Sequence, residues 1–211
     1  MRRLRSRSGR REAGTFIVEG PQALREAIDC TTAVRSVFAT AKAAARHADL
    51  IDRARASGVD IVLATGEVIE AIAETDTPQG LVAECSLLDG ELDAALRPGR
   101  ISVALEAVGD PGNAGTVIRT ADAVGAAGVV LTAGSVDPHN GKCVRATAGS
   151  LFHLPVASEV ALGALHTAAG AAGLVIAAAT GDGEVDLFDW IGSAPAGICW
   201  LLGSEAHGLS P

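Results

Sequence analysis

Ile101-Ser102-Val103-Ala104-Leu105-Glu106-Ala107-Val108, followed at once by Gly109-Asp110-Pro111-Gly112-Asn113-Ala114-Gly115-Thr116-Val117-Ile118-Arg119-Thr120-Ala121, is the stretch that decides the fold. Residues 101–108 carry little polarity, the pattern of a strand covered on both faces, as in a parallel sheet. Pro-Gly then makes a tight turn, and the spacing predicts a helix over 113–124 with Asn113 well placed as its N-cap. The same alternation recurs downstream: strands over 128–132, 174–179 and 197–202, and helices over 143–151 and 160–172. Strand–helix alternation with short loops predicts a parallel sheet with helices on both sides, an α/β domain over 100–211.

Upstream lies a second, smaller α/β unit over 15–86. It reads as strand 16–20, helix 21–28 with Pro21 in the first turn, strand 33–39, helix 42–57 closed by Gly58, strand 60–64, helix 67–73 and strand 80–85. Residues 87–99 are acidic and then contain Arg97-Pro98-Gly99, which reads as a linker. Residues 1–14 hold Arg2, Arg3, Arg5, Arg7, Arg10 and Arg11 and are expected to form a flexible basic arm.

The chain has 211 residues, is 48% hydrophobic and only 3% aromatic, so small aliphatic side chains must fill its core. That suits helices packed tightly on a sheet. The formal net charge of −8 argues against a nucleic-acid binder when read globally. The basic arm qualifies this: six arginines on an acidic body either grip phosphates or form a solvated tail. Cys30, Cys85, Cys143 and Cys199 have no metal-ligand spacing and no CxxC, which suits free thiols in a reducing compartment and no metal. With no apolar leader and no long apolar run, the chain is expected to be cytoplasmic and away from membranes.

Three segments carry candidate chemistry. Residues 110–121 follow a buried strand and so lie at the carboxyl edge of the sheet, where α/β folds bind ligands. Asn113 is either the helix cap or a ligand contact. Arg119 is odd in an apolar helix; it either pairs with a carboxylate such as Glu106 or Asp122 or acts at a site. Leu201-Leu202-Gly203-Ser204-Glu205-Ala206-His207-Gly208 runs from a buried strand into a Gly-x-Glu-x-x-Gly loop, where glycines let backbone wrap a ligand closely. Glu205 is placed to hold a ribose hydroxyl or an arginine, and His207 reads as a loop residue. Lys142 and Arg145 lie three apart at a helix start and either receive phosphate or stay solvated. No P-loop and no full GxGxxG is present, which disfavours a nicotinamide enzyme of the usual kind.

Taken in order, these segments resemble the SpoU family of RNA ribose methyltransferases. Residues 113–121 match the family's Asn-x-Gly-x-x-x-Arg-Thr-Ala motif, 142–150 resemble its Pro-Lys-x-x-Arg-Ala-Ser-x-Gly-Ala run, and 202–208 match its second motif. The resemblance implies a SPOUT α/β trefoil-knot domain, usually dimeric, preceded by a ribosomal-protein-like substrate-binding domain. It implies methyl transfer from S-adenosylmethionine to a ribose 2′-hydroxyl in RNA, large-subunit rRNA before tRNA. A non-catalytic RNA-binding fragment or relative is the alternative. By resemblance Asn113, Arg119 and Glu205 are catalytic, Arg119 helping to deprotonate or to orient the hydroxyl; because a guanidinium normally stays charged, orientation is the easier role and the base role stays open. Thr180, Leu202, Gly203, Glu205 and Gly208 would meet the donor, and Lys142, Arg145, Arg10 and Arg11 the RNA. The family's third motif, an Ile-Pro strand and a Ser-Leu-Asn helix, does not follow before Pro211. An incomplete knot and weak or absent S-adenosylmethionine binding are therefore expected of the chain as written.

Overall fold

The computed structural model describes residues 1–30, 33–205 and 207–210. Ala206 and Pro211, both quoted above, lie outside the described residues. In chain order the elements are α1 (Arg7–Ala13), β1 (Thr15–Glu19), α2 (Pro21–Asp29), β2 (Val34–Ala39), α3 (Ala41–Arg46), α4 (Ala48–Ala56), β3 (Asp60–Leu63), α5 (Gly66–Ile72), β4 (Leu81–Ser86), α6 (Leu92–Ala95), β5 (Ile101–Leu105), α7 (Pro111–Ala123), β6 (Val129–Thr132), α8 (Gly141–Ala146), β7 (Val156–Val160), α9 (Leu162–Ala171), β8 (Val175–Ala179), α10 (Leu187–Trp190) and β9 (Ile198–Leu202). They pack as two units, Met1–Leu88 with His139–His153, and Asp89–Pro138 with the residues from Leu154 onward.

The front unit is built on a four-stranded sheet in the order β1-β4-β2-β3. Strand β4 runs antiparallel to β1 and β2, and β3 is parallel to β2. Phe16, Ile17 and Val18 are all buried, so both faces of β1 are covered. On one face Ile17 and Val82 cluster with Leu4, Ile69, Ile72 and Ala73. Leu4 is the reason the N-terminus is not the flexible arm expected from its charge. Its side chain is 1% exposed, and residues Arg2–Arg5 form a 3-10 turn that leads into α1. Ser6 caps α1 by accepting the Gly9 N–H at 3.1 Å. Arg5 donates to the carbonyls of Ala71 and Ala73, and Arg2 to that of Ala71, at the C-terminal end of α5. Cations are favoured there by the unpaired carbonyls of the helix. The single helix read over 42–57 is two, separated at His47.

Residues 139–153, read as part of the second domain, belong to the front unit in space. Helix α8 packs on β1. The Phe16 ring lies 4.8 Å from that of His139 and 6.2 Å from that of Phe152, centroid to centroid. His139 Nε2 accepts the Leu88 N–H at 3.0 Å, which puts the proton of a neutral ring on Nδ1.

The second unit is a five-stranded, wholly parallel sheet in the order β7-β6-β5-β9-β8. Helices α6 and α9 cover one face: Ala95, Leu96, Leu165 and Ala169 cluster with Ala104, Val130, Ala157, Cys199 and Leu201. By alternation Val103, Leu105, Val129 and Leu131 point the other way, where α7 packs on β5 through buried residues such as Ala114 and Ile118. The linker expected over 87–99 therefore contains core. Ser102 Oγ donates to the Ala95 carbonyl at 2.7 Å, and a Cβ on Gly128 would lie 2.6 Å from Ala95 Cα. Strand β7 replaces the first residue of the helix expected over 160–172, which starts instead at Leu162. The four cysteines are free thiols. Burial pushes the Cys199 thiol up to about 11 and raises that of Cys85 further, so neither is a ready thiolate. Among the described residues no helix is long and apolar enough to cross a membrane.

Candidate active site

Parallel register sets Leu105 opposite Leu202, and Leu202 opposite Ala179. Strands β5, β9 and β8 thus end at one level. From β5 the chain departs through α7 to β6, on the side away from β9. In open α/β sheets ligands bind outside the carboxyl ends of the strands. A cleft of about 320 Å³ opens there, lined from one side by Ala107, Asp110 and Asn113 and from the other by Ser204, Glu205 and His207.

Asn113 is not the cap of α7. The cap is Asp110, whose carboxylate accepts the Asn113 N–H at 2.9 Å. Asp before Pro at the first helical position is the stronger N-terminal signal, and it was present in the sequence. With capping done by Asp110, the Asn113 amide lines the cleft.

Arg119 sits elsewhere. Six residues along a helix turn the side chain by about 240° from Asn113. Arg119 is exposed, and it makes no ion pair or hydrogen bond with any described residue, Glu106 and Asp122 included. It does not line the cleft of its own chain.

The 203–208 loop closes on itself. Ser204 N–H donates to the Gly208 carbonyl at 3.1 Å, and Gly208 N–H to that of Ser204 at 2.8 Å. The turn is so tight that a Cβ on Gly203 would lie 2.2 Å from the carbonyl carbon of Gly208. Gly208 has φ +66, which glycine adopts without strain. Leu202 is half-buried, and its carbonyl accepts the Glu106 N–H at 2.8 Å. Thr180 follows β8 at the same level, but its hydroxyl bonds to the Asp182 carboxylate and holds that acid below its ordinary range. Thr180 lines a separate groove of about 560 Å³ along β8, beside Trp190 and Trp200.

Two further residues bear on the cleft: Glu106 beside it, which the sequence offers only as a partner for Arg119, and Ala107 in its wall. Glu106 is 9% exposed, and its carboxylate accepts from Ser210 Oγ. An acid closing an apolar strand was the available signal. Ala107 has φ +49 and donates its N–H to Thr132 Oγ1 at 3.1 Å. Nothing in an alanine announces a left-handed backbone.

This carboxyl-edge arrangement coincides with a family match: residues 100–211 match the SpoU rRNA Methylase family. The chain belongs to that family. Residues 1–83 match the MRM3-like substrate binding domain. The 23S rRNA (guanosine(2553)-2′-O)-methyltransferase RlmP of Bacillus subtilis is 34% identical over 74% of this chain and 58% of its own length. An uncharacterized tRNA/rRNA methyltransferase of Synechocystis is 32% identical over 100% of this chain and 76% of its own. In structure, an AdoMet-bound rRNA methyltransferase from Sinorhizobium meliloti superposes with a TM-score of 0.86 at 30% identity, covering 99% of this chain and 78% of that one.

In this SpoU chain the cations expected to meet RNA fall into different settings. Lys142 is exposed in the first turn of α8, and Arg11 is exposed on α1. Arg10 is 3% exposed and donates to the carbonyls of Leu4 and Arg5 at 2.8 and 3.2 Å, so it braces the N-terminal turn instead of offering itself to phosphate. Arg145 pairs with Glu19 at 3.1 Å and Glu74 at 3.8 Å. Glu19 also accepts the Glu74 N–H at 2.8 Å and the Thr75 hydroxyl at 2.7 Å. Burial raises the Glu74 carboxyl above its ordinary range; the Arg145 charge opposes this and the Glu19 charge adds to it.

Proposed function

We propose that this protein methylates a ribose 2′-hydroxyl of RNA, with S-adenosylmethionine as the methyl donor and large-subunit rRNA as the substrate. The observation that carries the reading is the cleft that Asn113 and Glu205 enter from two adjacent strand ends. The 2′-O-methylation named for RlmP and the AdoMet bound by the S. meliloti protein supply the chemistry.

The donor brings a methyl carbon activated by its sulfonium sulfur. In the transfer the ribose oxygen would bond to that carbon as the sulfur–carbon bond breaks, leaving the donor as a neutral thioether, and the hydroxyl proton would pass to water in the open cleft. A hydroxyl is a weak nucleophile, so alignment and proton removal are what the protein must provide. The 203–208 turn is the proposed donor edge: Gly203 packs against the Gly208 backbone with no room for a side chain, which holds the turn closed at the strand end beside Ser204 and Glu205. Leu202 and Gly208 complete that edge, with Thr180 beyond them. Glu205 holds a hydroxyl or a guanidinium, and the Asn113 amide orients the ribose.

Arg119 supplies the remaining contact from a second copy of the chain. Its exposed guanidinium, turned away from its own cleft, supports a homodimer in which each cleft receives the partner copy's arginine. A guanidinium keeps its charge at ordinary pH, so Arg119 orients the hydroxyl and does not act as base. A trefoil knot that closes only where the family's third motif follows, and a cytoplasmic location, belong to the same reading, and methyl transfer of this kind asks for no metal. Lys142 and Arg11 are the exposed cations proposed to meet RNA phosphates.

The test is transfer of labelled methyl from S-adenosylmethionine to 23S rRNA or tRNA by the purified protein. Ribose methylation is mapped in parallel in RNA from cells with and without the gene. A 2′-O-methyl nucleotide in 23S rRNA that disappears with the gene supports the proposal. Label in tRNA alone moves the substrate to tRNA. RNA binding with no transfer to either overturns the enzyme in favour of a binding protein.

A further inference from the structure

One residue brackets the glycine loop at both of its ends. The Glu106 N–H donates to the Leu202 carbonyl at 2.8 Å, immediately before the loop begins. The Glu106 carboxylate accepts from Ser210 Oγ, immediately after the 203–208 turn has closed. Between these points the loop is held by its own reciprocal Ser204 and Gly208 bonds. The carboxylate is 9% exposed as part of its residue, in a setting where an acid is costly unless it is put to use. The next residue, Ala107, lines the cleft in a left-handed conformation that alanine rarely adopts. That backbone is pinned by the Thr132 hydroxyl from the end of β6. Glu106 thus stands where the ends of β5, β6 and β9 are tied together, although it does not itself line the cleft.

We propose that Glu106 is a positioning residue: through Ser210 it fixes the 203–208 loop against the 107–113 segment and so sets the distance between Glu205 and Asn113. The proposal rests on the methyltransferase reading for its effect on activity, but not for its effect on the loop. A hydroxyl donating to a carboxylate is a charge-assisted bond, stronger than a neutral one. An amide oxygen in the same place still accepts the hydroxyl. Removing the acceptor frees the far end of the loop while the backbone bond to Leu202 remains.

The experiment compares Glu106→Gln, Glu106→Ala, Ser210→Ala and the Glu106→Ala/Ser210→Ala double variant in the full protein. Two readouts are used: amide hydrogen exchange at Ser204 and Gly208, which needs no activity, and S-adenosylmethionine affinity by calorimetry alongside kcat. The expected result is about tenfold faster exchange and about tenfold weaker donor binding in Glu106→Ala and in Ser210→Ala. The double variant should be no worse than either single one, and Glu106→Gln should be close to wild type. Ser210 is exposed, so its alanine variant reports on the latch even if Glu106→Ala folds poorly. Unchanged exchange in Ser210→Ala overturns the latch, as does full additivity of the two alanine variants. A Glu106→Gln variant as impaired as Glu106→Ala also overturns it, because the charge and not the bond would then be needed. If wild type neither binds donor nor transfers methyl, the methyltransferase reading fails, and the exchange data still decide the latch.

Discussion

Asn113 and Glu205 stand across one cleft, brought there by two strands whose last residues, Leu105 and Leu202, are paired in parallel register. Because Asp110 does the capping, the Asn113 side chain owes nothing to helix stability. Asn113→Ala and Glu205→Ala should each lower kcat/KM by about 100-fold or more with the unfolding midpoint unmoved. Asp110→Ala should behave differently, costing about 1 kcal/mol of stability through the lost cap. Urea unfolding beside single-turnover methylation separates the two classes.

Arg119 offers a test that needs two copies of the chain. If it serves the partner copy's cleft, Arg119→Ala and Glu205→Ala proteins, each inactive alone, should regain part of the wild-type rate when mixed and allowed to exchange subunits. In the mixed dimer one cleft has both its own Glu205 and a partner-supplied Arg119. A mixture that stays as dead as its components would count against action across an interface. Arg119→Lys should remain poorly active, since an ammonium lacks the planar fork.

The glycine loop predicts a graded pair. Gly203→Ala forces a Cβ into the backbone of Gly208, so the turn must open and donor binding should be lost. Gly208→Ala meets nothing within 4 Å, and its penalty is only the strain of φ +66, about 1 kcal/mol. Calorimetric titration with S-adenosylmethionine should rank Gly208→Ala between wild type and Gly203→Ala.

The N-terminal turn should behave as core. Leu4→Ala removes a fully buried side chain and should destabilise the front unit by about 2–4 kcal/mol. A tail free in solvent would give no change in the thermal midpoint.

Glu74 gives the front unit a pH dependence of definite sign. Its folded carboxyl is raised, so the folded state holds that proton more tightly than the unfolded chain does. This contribution to stability is present below the ordinary carboxylate range and is lost as pH rises through the raised value. Glu74→Gln should therefore gain on wild type as pH increases from about 4 to 7. The gain is tempered by solvent screening and by the lost Arg145 contact, 3.8 Å long. A variant whose relative stability is flat across that range would refute the assignment.

Which parts of this could be read beforehand follows from the physics of each signal. Strand β5 and helix α7 were legible because an uninterrupted apolar run and a Pro-Gly turn are local. Strand β7 was not, because residues 156–160 merge with the apolar, Ala-rich run of α9. Helix α6 was hidden by its length: four residues give no period, and only contact with Gly128 and Ser102 makes Ala95 core. At the cleft, loop chemistry at a strand end makes Asn113 and Glu205 legible as candidates. For Arg10 and Arg145 the charge is visible in the sequence while the partners, the Leu4 carbonyl and Glu19, are not. Glu106 was weighed only as a partner for Arg119.

The packing of residues 139–153 on strand β1 bears on how this gene can be cut. A fragment ending anywhere in 87–99 would look like a clean module on paper, yet it would leave Phe16 without the rings of His139 and Phe152. It would also leave Glu19 without the Arg145 guanidinium. The front unit of this chain is then not portable by swapping the first half of the reading frame alone. A chimera has to carry the 139–153 insert from the same parent, and two lineages that exchange only their front halves inherit mismatched seams.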